Sequence, residues 1–165
     1  MITLRDYQKS DKARLVNLAN NKAVSQYMTY TFPYPYTSQD ADWWIETGSK
    51  ANNLVAKVIE YKSEFVGGIG ITAQIGWRNH VAEIGYWLGE EYWGQGIATE
   101  SLKEMTIYAT ENLQYKKLFA DVLEPNKASM KVLEKCGYEL EGVLKQEVFK
   151  DGQYFNTYHY AKCCL

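Results

Sequence analysis

Residues Ala82-Glu-Ile-Gly-Tyr-Trp-Leu-Gly-Glu-Glu-Tyr-Trp-Gly-Gln-Gly-Ile-Ala-Thr-Glu-Ser101 decide how the chain is read. At the start they alternate, with Ala82, Ile84, Tyr86 and Leu88 on one side and Glu83, Gly85 and Trp87 on the other. That is the period of a half-buried strand. The alternation breaks at Gly89, and Gly94-Gln95-Gly96 follows. From Ala98 the apolar period turns helical, placing Ala98, Leu102, Met105, Ala109 and Leu113 on one stripe. A strand, a glycine loop and a helix in this order aim several backbone N–H groups and a positive helix end at one spot before Ala98. Glycines also keep Cβ atoms out of a ligand's way, so the loop reads as an anion cradle suited to a pyrophosphate, although glycines make ordinary turns too. Two familiar cradles are excluded. No Lys follows the glycines as in a Walker loop, and Thr99 stands where the dinucleotide fingerprint has a third Gly or Ala.

The length of 165 residues fits one domain spanning 1–165, and 46% apolar residues supply its core. Tyrosine, at 14 copies, points to an amphipathic pocket or interface as well. A net charge of −2, with Lys and Arg scattered, offers no footprint for nucleic acid. No apolar run approaches the ~20 residues of a membrane span, and the N-terminus lacks a signal peptide's apolar region. Cys136, Cys163 and Cys164 form no disulfide framework and do not stand at zinc-ligand spacing with His80 or His159. Reduced cysteines, no metal and a cytoplasmic location are expected.

Residues 1–7 alternate as a first strand, and Ser10 can cap a helix to about Ala19 along Ala13 and Val16, with Leu15 and Ala19 as further members of its stripe. A short helix is expected around 22–28. Tyr30-Thr-Phe-Pro-Tyr-Pro-Tyr36 sets aromatics at alternate positions between prolines, an extended segment that either packs on the core or walls a substrate pocket. Thr37-Ser-Gln-Asp40 has capping-box form and opens a helix carrying Trp43, Trp44 and Ile45. Residues 54–60 and 65–75 read as a hairpin whose Gly67, Gly68 and Gly70 suggest a bulge or close backbone approach. A strand at 118–123 ends at Glu124-Pro125. Asn126 to Gly137 is a helix with N-cap and C′ residues in place, and Asp151-Gly152 joins strands 138–149 and 153–163. The order is β-α-α-β-β-β-α-β-α-β-β. The helix between 81–88 and 118–123 requires a crossover, hence local parallel pairing in an otherwise antiparallel sheet.

Trp93-Gly94-Gln95-Gly96-Ile97-Ala98 resembles motif A of the GNAT superfamily of acyl-CoA-dependent N-acetyltransferases, Gln/Arg-x-x-Gly-x-Gly/Ala, with Trp93 at the usual Gln/Arg position. Asn126-x-x-Ser129 through Glu134-Lys-Cys-Gly-Tyr138 resembles the family's second block, Asn-x-x-Ala/Ser…Glu-Lys-x-Gly-Phe/Tyr. With the element order, the resemblance covers essentially the whole chain. It implies an α+β (mixed α/β) fold: a mostly antiparallel sheet of six to seven strands, a splayed parallel pair with coenzyme A in the gap, and about four helices. Tyr92–Ser101 is similar to the branch of ribosomal-protein N-terminal (alanine/serine) acetyltransferases. The resemblance thus implies acetyl transfer from acetyl-CoA to a primary amine. The branch expectation is a protein N-terminal α-amine, the rival a small amine such as an amino acid, polyamine or aminoglycoside. It further implies cofactor contacts from Trp87, Leu88, Gly89, Trp93, Gly94, Gln95, Gly96, Ile97, Ala98, Thr99, Asn126, Lys127 and Ser129. Acceptor contacts would come from Tyr30, Phe32, Tyr34 and Tyr36, in a monomer or homodimer without metal. The same cradle would also serve a non-catalytic acyl-CoA sensor.

Acetyl transfer requires a neutral amine, so a base must take its proton. Glu83, on the Gly85 and Trp87 side of the central strand, is one candidate, and Glu147 is its rival. Backbone N–H groups near Trp87 and Leu88 are placed to stabilise the carbonyl oxygen. Many family members use a Tyr on the second helix to protonate the leaving thiolate; Leu133 stands there, leaving Ser129 as the substitute or as a small packing residue.

Overall fold

The two sets of side chains on the central strand are covered by different layers, and this fixes the architecture. The computed structural model describes residues 1–164. Its strands are β1 (Ile2–Arg5), β2 (Leu54–Tyr61), β3 (Glu64–Ala73), β4 (Val81–Leu88), β5 (Lys117–Leu123), β6 (Glu139–Lys150) and β7 (Gln153–Cys163). The helices are α1 (Lys12–Ala19), α2 (Lys22–Ser25), α3 (Ser38–Glu46), α4 (Ile97–Glu111) and α5 (Lys127–Lys135). Ala82, Ile84 and Leu88 pack against Ile97, Leu102, Met105 and Ala109 of α4 and Met130 and Leu133 of α5. On the opposite face Trp87 joins Leu15 and Leu18 of α1, Ile45 of α3, Tyr36 and Phe65. Helices therefore sandwich the sheet. Leu102 has no exposed surface, and truncating such a side chain to Ala costs about 2–5 kcal/mol.

The seven strands lie in the order β1-β2-β3-β4-β5-β7-β6. All pairs are antiparallel except β4 and β5, which the α4 crossover makes parallel. That pairing runs only from Val81–Lys117 to Glu83–Phe119. Beyond Glu83 the strands part. The mixed sheet and splayed pair match the sequence expectation; α2 adds a fifth, single-turn helix.

Local chemistry explains most boundaries. Thr37 and Asp40 form the expected capping box, with the Asp40 N–H donating to Thr37 Oγ1 at 3.2 Å and the Thr37 N–H to Asp40 Oδ2 at 2.7 Å. Asn126 caps α5, accepting the Ser129 N–H at 3.3 Å, and Gly137 follows it at φ 79°. The β3 glycines permit a close approach: a Cβ on Gly68 would lie 2.3 Å from the Tyr7 hydroxyl and 2.8 Å from the Trp87 indole nitrogen. A bulge does fall in β3, where Val66 is the extra residue between Gly67, opposite Ile59, and Phe65, opposite Glu60. The first helix corrects the sequence reading. Asp11, accepting the Gln8 N–H at 2.8 Å, organises its start in place of Ser10, and Leu15, Leu18 and Ala19 form the buried face while Ala13 is exposed. Large Leu side chains set the helix phase because they bury more apolar area than Ala. Among the described residues no helix is long and apolar enough to cross a membrane.

Candidate active site

Strand alternation settles which backbone groups enter the gap. The Gly89 N–H donates to Val66 O on β3 at 2.9 Å, and Val81 O accepts from Gln74 on the same side. Odd-numbered residues of β4 thus turn their peptide groups to β3, and Tyr86 and Leu88 turn theirs toward β5, which has already diverged. Of the two donors named from sequence, Leu88 points its N–H into the gap, whereas that of Trp87 belongs to the β3 ladder; Tyr86 takes its place.

The gap opens into a cavity of about 760 Å³ that reaches both faces of the sheet. On the α4–α5 face it is lined by Tyr86, Asn126 and Ser129. The Tyr86 and Ser129 hydroxyls are 2.8 Å apart, so the serine expected from the motif is paired with a tyrosine that sequence reading passed over. Burial pushes the Tyr86 phenol up to about 12, against the pull of its Ser129 hydrogen bond, and keeps it a proton donor at neutral pH. Leu133 lies in the core with no exposed surface.

On the opposite face the cavity meets Glu83, Trp87, Phe32, Tyr30 and Tyr36. Burial, then the neighbouring charge of Asp121, raises the Glu83 carboxyl above the ordinary glutamate range; His159 and Arg78 partly offset this. Asp121 itself lies 2.6 Å from His159 Nδ1, and the imidazole stacks on Phe119 with ring centroids 5.0 Å apart. Phe32 meets Trp87 edge-on at 5.2 Å. Tyr34 and Glu147 are exposed and are not among the residues lining the cavity. Trp43, Trp44, Tyr7 and Tyr27 do line it. A capped helix with two adjacent Trp signals a buried face, without showing that the face ends in a cavity.

The glycine loop lies at the N-terminus of α4. Gly94 and Gly96 adopt φ of 71° and 80°, a conformation that favours glycine, and the space beside each is free of protein atoms. Gly96 caps α4 without a side-chain hydrogen bond, and the first helical bond is from Glu100 N–H to Gly96 O at 3.1 Å. The N–H groups of Ile97, Ala98 and Thr99 therefore precede the helix ladder, as an anion site requires. Side chains brace the approach to this loop. The Trp93 indole donates to Leu88 O at 2.9 Å, Gln95 Nε2 to Glu91 O at 2.8 Å, and Asn21 Nδ2 to Glu90 Oε2 at 2.8 Å. Arg14 pairs with Glu91 at 2.7 Å and donates to the Tyr92 hydroxyl. Lys127 is exposed, with its ammonium 4.8 Å from the centre of the Tyr158 ring.

A helix N-terminus open to anions, a slot between diverging parallel strands and a carboxylate on the far face can admit two substrates from opposite sides of one sheet. Residues 1–139 match the acetyltransferase (GNAT) domain, and the chain belongs to that family of N-acetyltransferases. It is 27% identical over 165 residues to the uncharacterized N-acetyltransferase p20 of Bacillus licheniformis, covering 97% of this chain and 91% of that one. It is 29% identical to the spermidine N(1)-acetyltransferase of Escherichia coli K12, covering 94% and 82%. The solved structure of RimL, a ribosomal α-N-protein acetyltransferase in complex with coenzyme A, aligns with a TM-score of 0.87 at 25% identity, covering 98% of this chain and 93% of that one.

Proposed function

We propose that the chain transfers the acetyl group of acetyl-CoA to a primary amine inside the splayed cleft. The observation that carries this reading is the cavity joining the Tyr86–Ser129 pair on one face to Glu83 on the other. The residues suit the donor: the free N–H groups of Ile97, Ala98 and Thr99 would hold its pyrophosphate, and the Tyr86 and Leu88 N–H groups its carbonyl oxygen. Bound acetyl-CoA supplies the activated acetyl group. Glu83, with its raised proton affinity, takes the proton of the incoming ammonium, and the Ser129 hydroxyl, backed by Tyr86, gives one to the departing thiolate. Holding both reactants in one slot supplies much of the remaining acceleration.

The finer question is the acceptor. Asp40, Glu83 and Asp121 line the cavity, with no Lys, Arg or His among the lining residues. A carboxylate or phosphate beside the reacting amine would find no cation there, which disfavours free amino acids. A protein N-terminal α-amine, which the sequence branch favours, and a polyamine, the substrate named for the Escherichia coli relative, both satisfy this condition. Thiol release from acetyl-CoA, measured across alanine- and serine-initiated peptides, polyamines and amino acids, tests the reading. Turnover with amino acids in preference to the other two classes would overturn the acceptor assignment, and no turnover with any amine would overturn the reaction.

A further inference from the structure

The splayed halves of the sheet pair directly where β4 meets β5, and side chains tie them together again at the far end of the cleft. The register shows where that second junction lies. Leu123, the last residue of β5, pairs with Thr157 of β7, so the β6–β7 hairpin tip at residues 150–153 extends beyond the open end of the splay. There Lys150 Nζ donates to Ser25 O at 2.7 Å and also to Met28 O, at the end of α2. The Tyr30 hydroxyl donates to Phe149 O at 3.1 Å and accepts the Asp151 N–H at 3.3 Å. The segment tied down in this way is the one that walls the acceptor side, because every residue from Tyr27 to Phe32 lines the cavity. Four hydrogen bonds thus bind a loop packed on the β3–β4 half to a hairpin tip on the β5–β7–β6 half.

We propose that Lys150 and the Tyr30 hydroxyl are positioning residues for the acceptor, a latch that fixes the 27–32 wall over the cleft. The assignment rests on the acetyl-transfer reading for its kinetic arm alone. The ammonium suits the task because two carbonyl oxygens at a helix end converge on it, and a charged donor holds such acceptors more strongly than a neutral one. Lys150 is also partly buried, which lowers its proton affinity, and the neighbouring Asp151 charge partly offsets this. The cradle at residues 94–99 makes none of these contacts. Loosening the latch should therefore disturb the acceptor and spare the acetyl donor.

The test combines kinetics with amide hydrogen exchange on Lys150→Met, Lys150→Arg and Tyr30→Phe, using whichever of spermidine or an alanine-initiated peptide the wild type acetylates. Lys150→Met removes both charge-assisted hydrogen bonds and should raise the acceptor KM at least about tenfold, with the acetyl-CoA KM unchanged. Faster exchange at residues 27–32 should accompany it, and Lys150→Arg should restore both readings. Tyr30→Phe keeps the aromatic wall and loses only the hydroxyl, so it decides the matter if Lys150→Met fails to fold. Equal effects on both KM values, or unchanged exchange and unchanged KM, would overturn the latch. Should the wild type acetylate no amine, the function reading falls while the exchange arm still decides whether the latch holds the wall.

Discussion

A carboxylate surrounded by apolar walls, with Asp121 nearby, keeps its proton to higher pH than an exposed glutamate does. The consequence for stability has a definite sign. Below the unfolded-state range of glutamate both states are protonated, and Glu83 is neutral to stability. As pH rises from there through the raised folded value, the native state alone retains the proton, and stability falls. Glu83→Gln should therefore melt higher than wild type at neutral pH, with the difference disappearing in acid, as thermal melts across pH would show. Its kcat should drop by about 10²–10⁴, the range for lost acid–base catalysis, with partial recovery at alkaline pH where more amine is already neutral. An unchanged kcat and pH profile would remove Glu83 from the reaction. The 2.8 Å pair on the other face makes a different expectation. If Tyr86 and Ser129 act as one donor, Tyr86→Phe, Ser129→Ala and the double variant should lose similar amounts of kcat, whereas independent residues would give multiplying losses.

The element best read from sequence was the strand–loop–helix unit, because its hydrophobic period changes from two to 3.6 across a pair of glycines. Its geometry separates two uses of Gly96. The φ of 80° is a conformational demand, and the empty space beside it is a ligand demand. Gly96→Asn can adopt the left-handed conformation and should fold nearly as well as wild type, while Gly96→Val should lose about 1–2 kcal/mol in denaturant titration. Both should bind acetyl-CoA more weakly by calorimetry, since each places atoms on the open face. Wild-type affinity in both would detach the loop from the cofactor. Other elements were less legible. Alternation in residues 30–36 put Tyr30, Phe32, Tyr34 and Tyr36 together, yet Tyr34 is exposed outside the cavity and Tyr36 is buried in the core at its edge. An extended loop without a ladder has no enforced period, so its side chains follow the surface they meet. Tyr34→Ala should accordingly leave both KM values near wild type, whereas Phe32→Ala, losing the contact with Trp87, should raise that of the acceptor.

At the scale of the molecule, the crossover implied a parallel pair, but nothing local states that it ends after Glu83. The same limit hid the contacts that finish the cleft. Tyr86 and Ser129 are 43 residues apart, and Asp121 and His159 are 38 apart. The first pair arises where β4 and β5 diverge and α5 packs the gap, the second where β7 returns antiparallel beside β5. This division also makes the cleft a point where ligand binding and global stability meet. The three free N–H groups of α4 and the unpaired edges of β4 exist only in the folded sheet, so acetyl-CoA should bind the native state alone. At 100 times Kd it should add about 2.7 kcal/mol, or roughly 5–10 °C in Tm for a domain of this size. The increment should grow with the logarithm of ligand concentration and be diminished in Gly96→Val. Glu83→Gln should keep it in full, since Glu83 faces the other side of the sheet. A melting temperature indifferent to acetyl-CoA, or an increment lost in Glu83→Gln and kept in Gly96→Val, would reverse the assignment of the two faces.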